Sequence, residues 1–215
     1  MPASEKFVYL EMFDAILSRR LTPGIKLKED TLANIFSVNR NIIRRTLLRL
    51  SHDGIVEIRQ NKGANVIQPS VKQAKEIFEA RRLIEGRIII QATGQADRSQ
   101  FKALRQLIDQ EKEQAKQNSR SKMIRMSGDF HLKLAEISNN SILASFLFKL
   151  VPQTSLIISQ YEKSTHSLCC YQEHQALLDL MENGRAEEAA KLMDRHLEKI
   201  EYNLFIQEQE KPFDL

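Results

Sequence analysis

Residues 38–52 read VNRNIIRRTLLRLSH. The spacing predicts a single helix of about four turns. Asn39 is placed to cap it, because its side-chain oxygen can accept from a free N–H of the first turn. Ile43, Leu47 and Leu50 follow at i, i+4 and i+7 and make an apolar stripe. Arg40 and Arg44 stand one turn apart, and so do Arg45 and Arg49. No acid occurs between Asp30 and Asp53. A cationic helix with an apolar back is suited to lie against a polyanion.

Its flanks fit that reading. Glu29 to Phe36 predicts a shorter helix with Leu32, Ile35 and Phe36 as its buried side, and only Ser37 and Val38 lie between the two helices. This is the shape of a helix-turn-helix, whose second helix enters the DNA major groove. Downstream, Asp53-Gly54 marks a turn and Ile55, Val56 and Ile58 a strand. Asn61-Lys62-Gly63 marks a hairpin turn, and Ala64 to Ile67 a return strand. The result is a winged helix-turn-helix with a small basic tip. The expected DNA-contacting residues are Arg40, Asn41, Arg44, Arg45, Arg49, Lys62 and Gly63.

The chain has 215 residues, of which 42% are hydrophobic, so it can bury a proper core in one large or two modest domains. Seven Gly and five Pro, scattered, favour long helices over a β-rich fold. Residues 1–68 hold 11 Lys/Arg and 7 Asp/Glu, a balance of +4, whereas residues 69–215 hold 21 of each. The positive excess therefore sits with the basic helix, as a nucleic-acid partner requires. Cys169 and Cys170 are adjacent and lack CxxC spacing, which predicts reduced thiols that serve packing in a cytoplasmic protein. Neither a signal peptide nor an apolar run of membrane-spanning length is expected.

Glu5 to Arg20 predicts a first helix, with Phe7, Leu10, Phe13, Ile16 and Leu17 on its apolar side. Gln68-Pro69-Ser70 is the candidate linker, since a residue before proline resists helix. It divides the chain into a DNA-binding domain, 1–68, and an all-helical domain, 69–210. Helices are expected over 71–93, 97–117, 120–138, 141–162, 166–182 and 186–207, separated by Gly, Asn and Ser breaks. Pro152 should kink or split the fourth, and Gly128 weakens the third. The fold class is mostly α: a winged helix-turn-helix followed by a helical bundle.

Three histidines share apolar faces of that bundle. His131 precedes Leu134 and Ala135 by one turn, His174 aligns with Leu177, Leu178 and Met181, and His196 aligns with Met193, Ile200 and Leu204. A lone imidazole on an apolar face is more often a hydrogen-bonded core residue. Three that converge would suit a divalent ion such as Zn, because neutral imidazole is its common ligand. Arg81 reads as an exposed charge or as an inward clamp, the exposed reading being the commoner for an arbitrary Arg. His52 and His166 read as surface residues.

The run 23–66, PGIKLKEDTLANIFSVNRNIIRRTLLRLSHDGIVEIRQNKGANV, resembles the DNA-binding domain of GntR-type bacterial transcription regulators, whose pattern is PG..L.E..LA...GVSR.PVR.AL..L...G.V....N.G..V. FEARRLIEGRIIIQA, DFHLKLAEISNNSIL and EHQALLDLMENGRAEEAAKLMDRHL resemble three motifs of the FCD-type helical domain of the FadR-like subgroup. The resemblance implies base and phosphate contacts at Arg40 and Arg44, and a wing tip at Gly63. It implies an effector carboxylate gripped by Arg81, hence a small organic acid, with Arg81, Ser127, His131, His174 and His196 as the effector site. It also implies a divalent metal such as Zn or Ni on His131, His174 and His196. The Asp that relatives carry one turn before the first His is Ser127 here, which removes a charge from the ligand set. Asp129, two residues from His131, should point to the other side of its helix.

These features predict a ligand-responsive regulator that binds double-stranded operator DNA as a homodimer. Two other readings stand beside it. One is a metal-dependent helical enzyme using His131, His174 and His196, although the chain has no HExxH, serine nucleophile elbow or phosphate loop. The other is a DNA-binding protein whose helical half only dimerises, its histidines bonded to backbone carbonyls.

Overall fold

The computed structural model describes residues 4–117, 119–162 and 171–205. Helix α1 (Glu5–Leu17) starts at Ser4, whose hydroxyl accepts from the Phe7 amide. It ends three residues before Arg20, because Arg19 takes a left-handed conformation, φ 59°. The buried side of α1 is Val8, Tyr9, Met12, Phe13, Ile16 and Leu17, while Phe7 is exposed and Leu10 only half-buried. This helix is apolar on most faces, so spacing alone did not identify the inward stripe.

A two-residue strand β1 (Lys26–Leu27) follows, then α2 (Glu29–Phe36), α3 (Arg40–His52), β2 (Val56–Arg59) and β3 (Gly63–Val66). The basic helix thus begins at Arg40 rather than Val38. Its stripe of Ile43, Leu47 and Leu50 is buried as expected. On α2 the buried pair is Leu32 and Ala33, and Ile35 turns outward at 67% exposure. The wing is an antiparallel sheet of order β1-β3-β2, with Val56 opposite Val66 and Arg59 opposite Gly63. The pairing of Lys26 with Asn65 adds an edge that no alternation could reveal in two residues.

The helical body comprises α4 (Val71–Gln95), α5 (Arg98–Lys116), α6 (Arg120–Ile137), α7 (Ser141–Tyr161), α8 (Tyr171–Glu182) and α9 (Ala186–Phe205). Ser70 and Gln73 form a reciprocal capping box that starts α4. Gly94 does not break this helix, which runs on to Gln95. Pro152 does not split α7: the helix is continuous, and the side chains of Gln153 and Thr154 donate to the carbonyls of Lys149 and Leu150 beside it. At 21 residues and a mean hydropathy of 1.6, α7 is long and apolar enough to cross a membrane, contrary to expectation. Its Leu147, Val151, Leu156 and Ile157 are instead buried against the other helices, which is why a core helix passes this test.

Head and body meet along one seam. The head's apolar core, built on Leu17, Ile43 and Leu50, continues into Met123, Ile124 and Leu156 of α6 and α7. Arg19 Nε donates to Ser159 O (2.5 Å) and Arg120 Nη2 to Glu162 O (2.6 Å), so two arginines cap the C-terminal carbonyls of α7. Gln160 and Tyr161 of the same helix donate to the carbonyls of Ile67 (2.9 Å), just before the linker, and of Pro69 (2.7 Å), within it. Asp14 of α1 pairs with Arg125 of α6 at 3.0 Å.

Candidate functional site

Asn39 Oδ1 accepts from the Ile42 amide at 3.0 Å and so sets where α3 begins. The approach from α2 is fixed by Ser37, whose φ is 51°. Arg40 pairs with Asp30, Arg44 with Glu29 (3.1 Å) and Arg45 with Glu5 (2.9 Å). Although α3 itself is free of acids, its neighbours α1 and α2 bring them. The three side chains remain 65%, 59% and 63% exposed, and ion pairs that open to water contribute little to stability, so phosphates can replace the acids. Asn41 is exposed beside them. Arg49 lies elsewhere, with its Cζ 4.4 Å from the ring centre of Tyr9 on α1. Tyr9 in turn donates to Asp53 (2.6 Å), and burial together with that carboxylate pushes its hydroxyl pKa up. The wing tip presents Lys62 and Gly63 to solvent, with Gly63 at φ 84°.

The second site lies inside the body. His131 on α6, His174 on α8 and His196 on α9 come together, with one ring nitrogen of each within 4.8 Å of the others. All three are buried, and their ring centres stand 4.9–5.5 Å apart. Phe130 stacks on His174 at 4.3 Å and closes one side. Each imidazole is held by a carboxylate through Nδ1: His131 by Glu85 of α4 (2.5 Å), His174 by Glu111 of α5 (2.7 Å) and His196 by Glu173 of α8 (2.6 Å). An ionised carboxylate only accepts, so each Nδ1 carries the hydrogen and each Nε2 keeps a free lone pair. The partners are thus carboxylates, not the backbone carbonyls expected if the body only dimerises.

Charge states agree with that tautomer. Burial drives the His131 pKa down to about 3 against the pull of Glu85, and burial lowers His196 as well, so both rings are neutral at pH 7. Burial alone would raise the Glu85 carboxyl, but Arg81 and His131 together bring it to about 2. The hydrogen bond from His196 leads in bringing Glu173 to about 2.

Four buried polar atoms in this cluster have no hydrogen-bond partner among the described residues: His174 Nε2, His196 Nε2, Glu111 Oε1 and Arg81 Nη2. An orphan of this kind costs roughly 1–3 kcal/mol. Three of the four are electron-pair donors and call for a cation, and the fourth is an N–H that calls for an anion. Arg81 is therefore not the exposed charge its residue type suggests. It is 3% exposed and donates through Nε to Glu85 at 2.6 Å. Ser127 sits half-buried one turn before His131, and Asp129 pairs with Arg125 (3.7 Å) instead. Neutral imidazoles with bound carboxylates behind them are the donor set a Zn-like ion takes.

Sequence spacing singled out the three histidines, and the resemblance added Arg81, but both passed over Glu111 and Glu173. Glu111 carried a signal, since it continues the buried stripe of Leu104 and Ile108 at i+7. A carboxylate on an apolar stripe needs a partner. Glu173 gave none, being one of many charges on a helix flank. His52 is exposed as expected, whereas His166, Cys169 and Cys170 lie outside the described residues.

Residues 5–66 match the family described as bacterial regulatory proteins, gntR family, and residues 76–199 match the FCD domain. The chain is 29% identical to the Uxu operon regulator of Haemophilus influenzae, covering 82% of this chain and 72% of that protein. It is 27% identical to the HTH-type transcriptional regulator LutR of Bacillus subtilis, covering 86% and 94%. Among solved structures, E. coli McbR/YncC superposes with a TM-score of 0.81 at 17% identity, covering 97% of this chain and all of that one, a likeness of fold. These relatives are named as regulators, and none of them supports the enzyme alternative. The chain is a transcription regulator of the GntR family that carries an FCD domain.

Proposed function

We propose that two copies of this chain bind an operator in the cytoplasm, and that a small organic acid held with a divalent ion in the helical body sets their affinity for it. Residues 1–68 are the DNA-binding domain and residues 69–210 the effector-binding and dimerisation domain. Arg40, Asn41, Arg44 and Arg45 divide between base edges and phosphates, and Lys62 and Gly63 approach the backbone. Arg49, turned toward Tyr9, serves through the phosphate flank of the same helix. A two-fold pair would present two α3 helices to two half-sites. Ile142 and Phe146, one turn apart and exposed at 65% and 53% on α7, are the candidate contact for the second copy.

In the body, Nε2 of His131, His174 and His196 would hold Zn or Ni. Ser127 supplies no charge, so a water or the effector carboxylate completes the shell. Arg81 would grip the same carboxylate through its unpartnered Nη2. The observation carrying this reading is the pairing of buried, partnerless electron-pair donors with a buried, partnerless guanidinium N–H in one cluster.

The test is thermal shift of metal-stripped protein with a panel of small carboxylic acids, with and without Zn. The expected result is a raised midpoint with Zn, a further rise with at least one acid, and loss of the acid's increment in Arg81→Ala. No response to Zn, or an acid response that survives Arg81→Ala, contradicts it.

A further inference from the structure

Around the three imidazoles stands a second ring of three carboxylates. Glu85, Glu111 and Glu173 come from three helices, yet each ends on the Nδ1 of a different histidine at 2.5–2.7 Å. Glu85 and Glu111 are themselves buried. Burial of two carboxylates is costly, and the imidazoles that Glu111 and Glu173 hold, His174 and His196, each keep an Nε2 with no partner among the described residues.

We infer that Glu85, Glu111 and Glu173 are positioning residues for a divalent cation, an inference that rests on the metal reading proposed above. They act through the histidines. Each fixes the Nδ1–H tautomer, so that the lone pairs offered to the centre are all Nε2. Arg81 on Glu85 (2.6 Å) and Lys199 on Glu173 (2.5 Å) hold two of the carboxylates in place. Glu111 keeps an Oε1 that has no partner among the described residues.

The experiment uses the full chain, stripped of metal, titrated with Zn against a chelating indicator, for wild type, Glu111→Gln and Glu173→Gln. Glutamine keeps an oxygen to accept from Nδ1 and removes the charge. The expected result is Zn affinity weaker by roughly 10- to 100-fold in each variant. In parallel, 15N spectra of the imidazoles in the metal-free wild type should show the Nδ1–H tautomer for His131, His174 and His196, a readout that packing alone would not set. Wild-type Zn binding with unchanged affinity in both variants, or Nε2–H tautomers, overturns this inference and leaves the metal reading standing. Absence of Zn binding by the wild type overturns both. Should Glu111→Gln not fold, the half-exposed Glu173→Gln and the wild-type tautomers decide the matter alone.

Discussion

His131 and His196 are imidazoles kept neutral by burial. In the unfolded chain His131 takes a proton near pH 6.5, but in the folded chain only near pH 3. Between those values the unfolded state binds more protons, so stability falls as pH falls. Glu85 adds a loss of the same sign between its ordinary 4.5 and about 2. The metal-free protein should therefore have a lower denaturation midpoint at pH 5.5 than at pH 7.5, and a flat profile would contradict neutral burial. Ser37 is a second residue with a defined cost, since it sits at φ 51° with no glycine to ease it. Ser37→Gly should raise stability by up to about 1 kcal/mol in chemical denaturation. Residue identity made the histidines legible in the sequence because they broke an apolar period. It could not show that Arg81 is buried, since that depends on Glu85 one turn away and His131 on another helix closing the charge.

Helix boundaries were legible wherever a side chain set them: Asn39 for α3, Ser70 with Gln73 for α4 and Asp97 with Gln100 for α5. They were not legible where backbone or packing decided. Gly94 allowed a turn that neighbouring helical bonds overrode, and β1 exists only because β3 offers it a partner. Gly128 tests which force shapes α6. Helix propensity alone says that Ala here should stabilise by roughly 1 kcal/mol. The structure places an added Cβ 3.0 Å from Val151 Cγ1 and 3.3 Å from Ser155 Oγ, and Val151 is buried and β-branched, with little room to give. Overpacking of this kind costs about 1–3 kcal/mol, so Gly128→Ala should destabilise on balance in urea melts. A stabilised Gly128→Ala variant would mean that α6 and α7 are looser than the structure shows.

For the whole molecule, the question is how the proposed ion and acid in the body would reach a DNA head. The candidate linker at 68–70 joins body and head directly. The structure adds α7, whose C-terminal end is bonded to the carbonyls of Ile67 and Pro69 and gripped by Arg19 of the head and Arg120 of the body. Coupling requires that the effector favour one arrangement of this seam over another. Arg19→Ala should leave basal DNA affinity near wild type while reducing the change in affinity that the effector produces. Equal effector response in wild type and variant would place the coupling elsewhere. Beneath all of this lies the assignment of α3 as the element that enters the groove. Fluorescence anisotropy with promoter fragments, comparing wild type with Arg40→Ala and Arg44→Ala across a salt series, measures it. Each variant should bind at least about 10-fold more weakly, with a shallower dependence on salt where a phosphate contact is lost. Affinity and salt slope equal to wild type in both variants would contradict the role assigned to this helix.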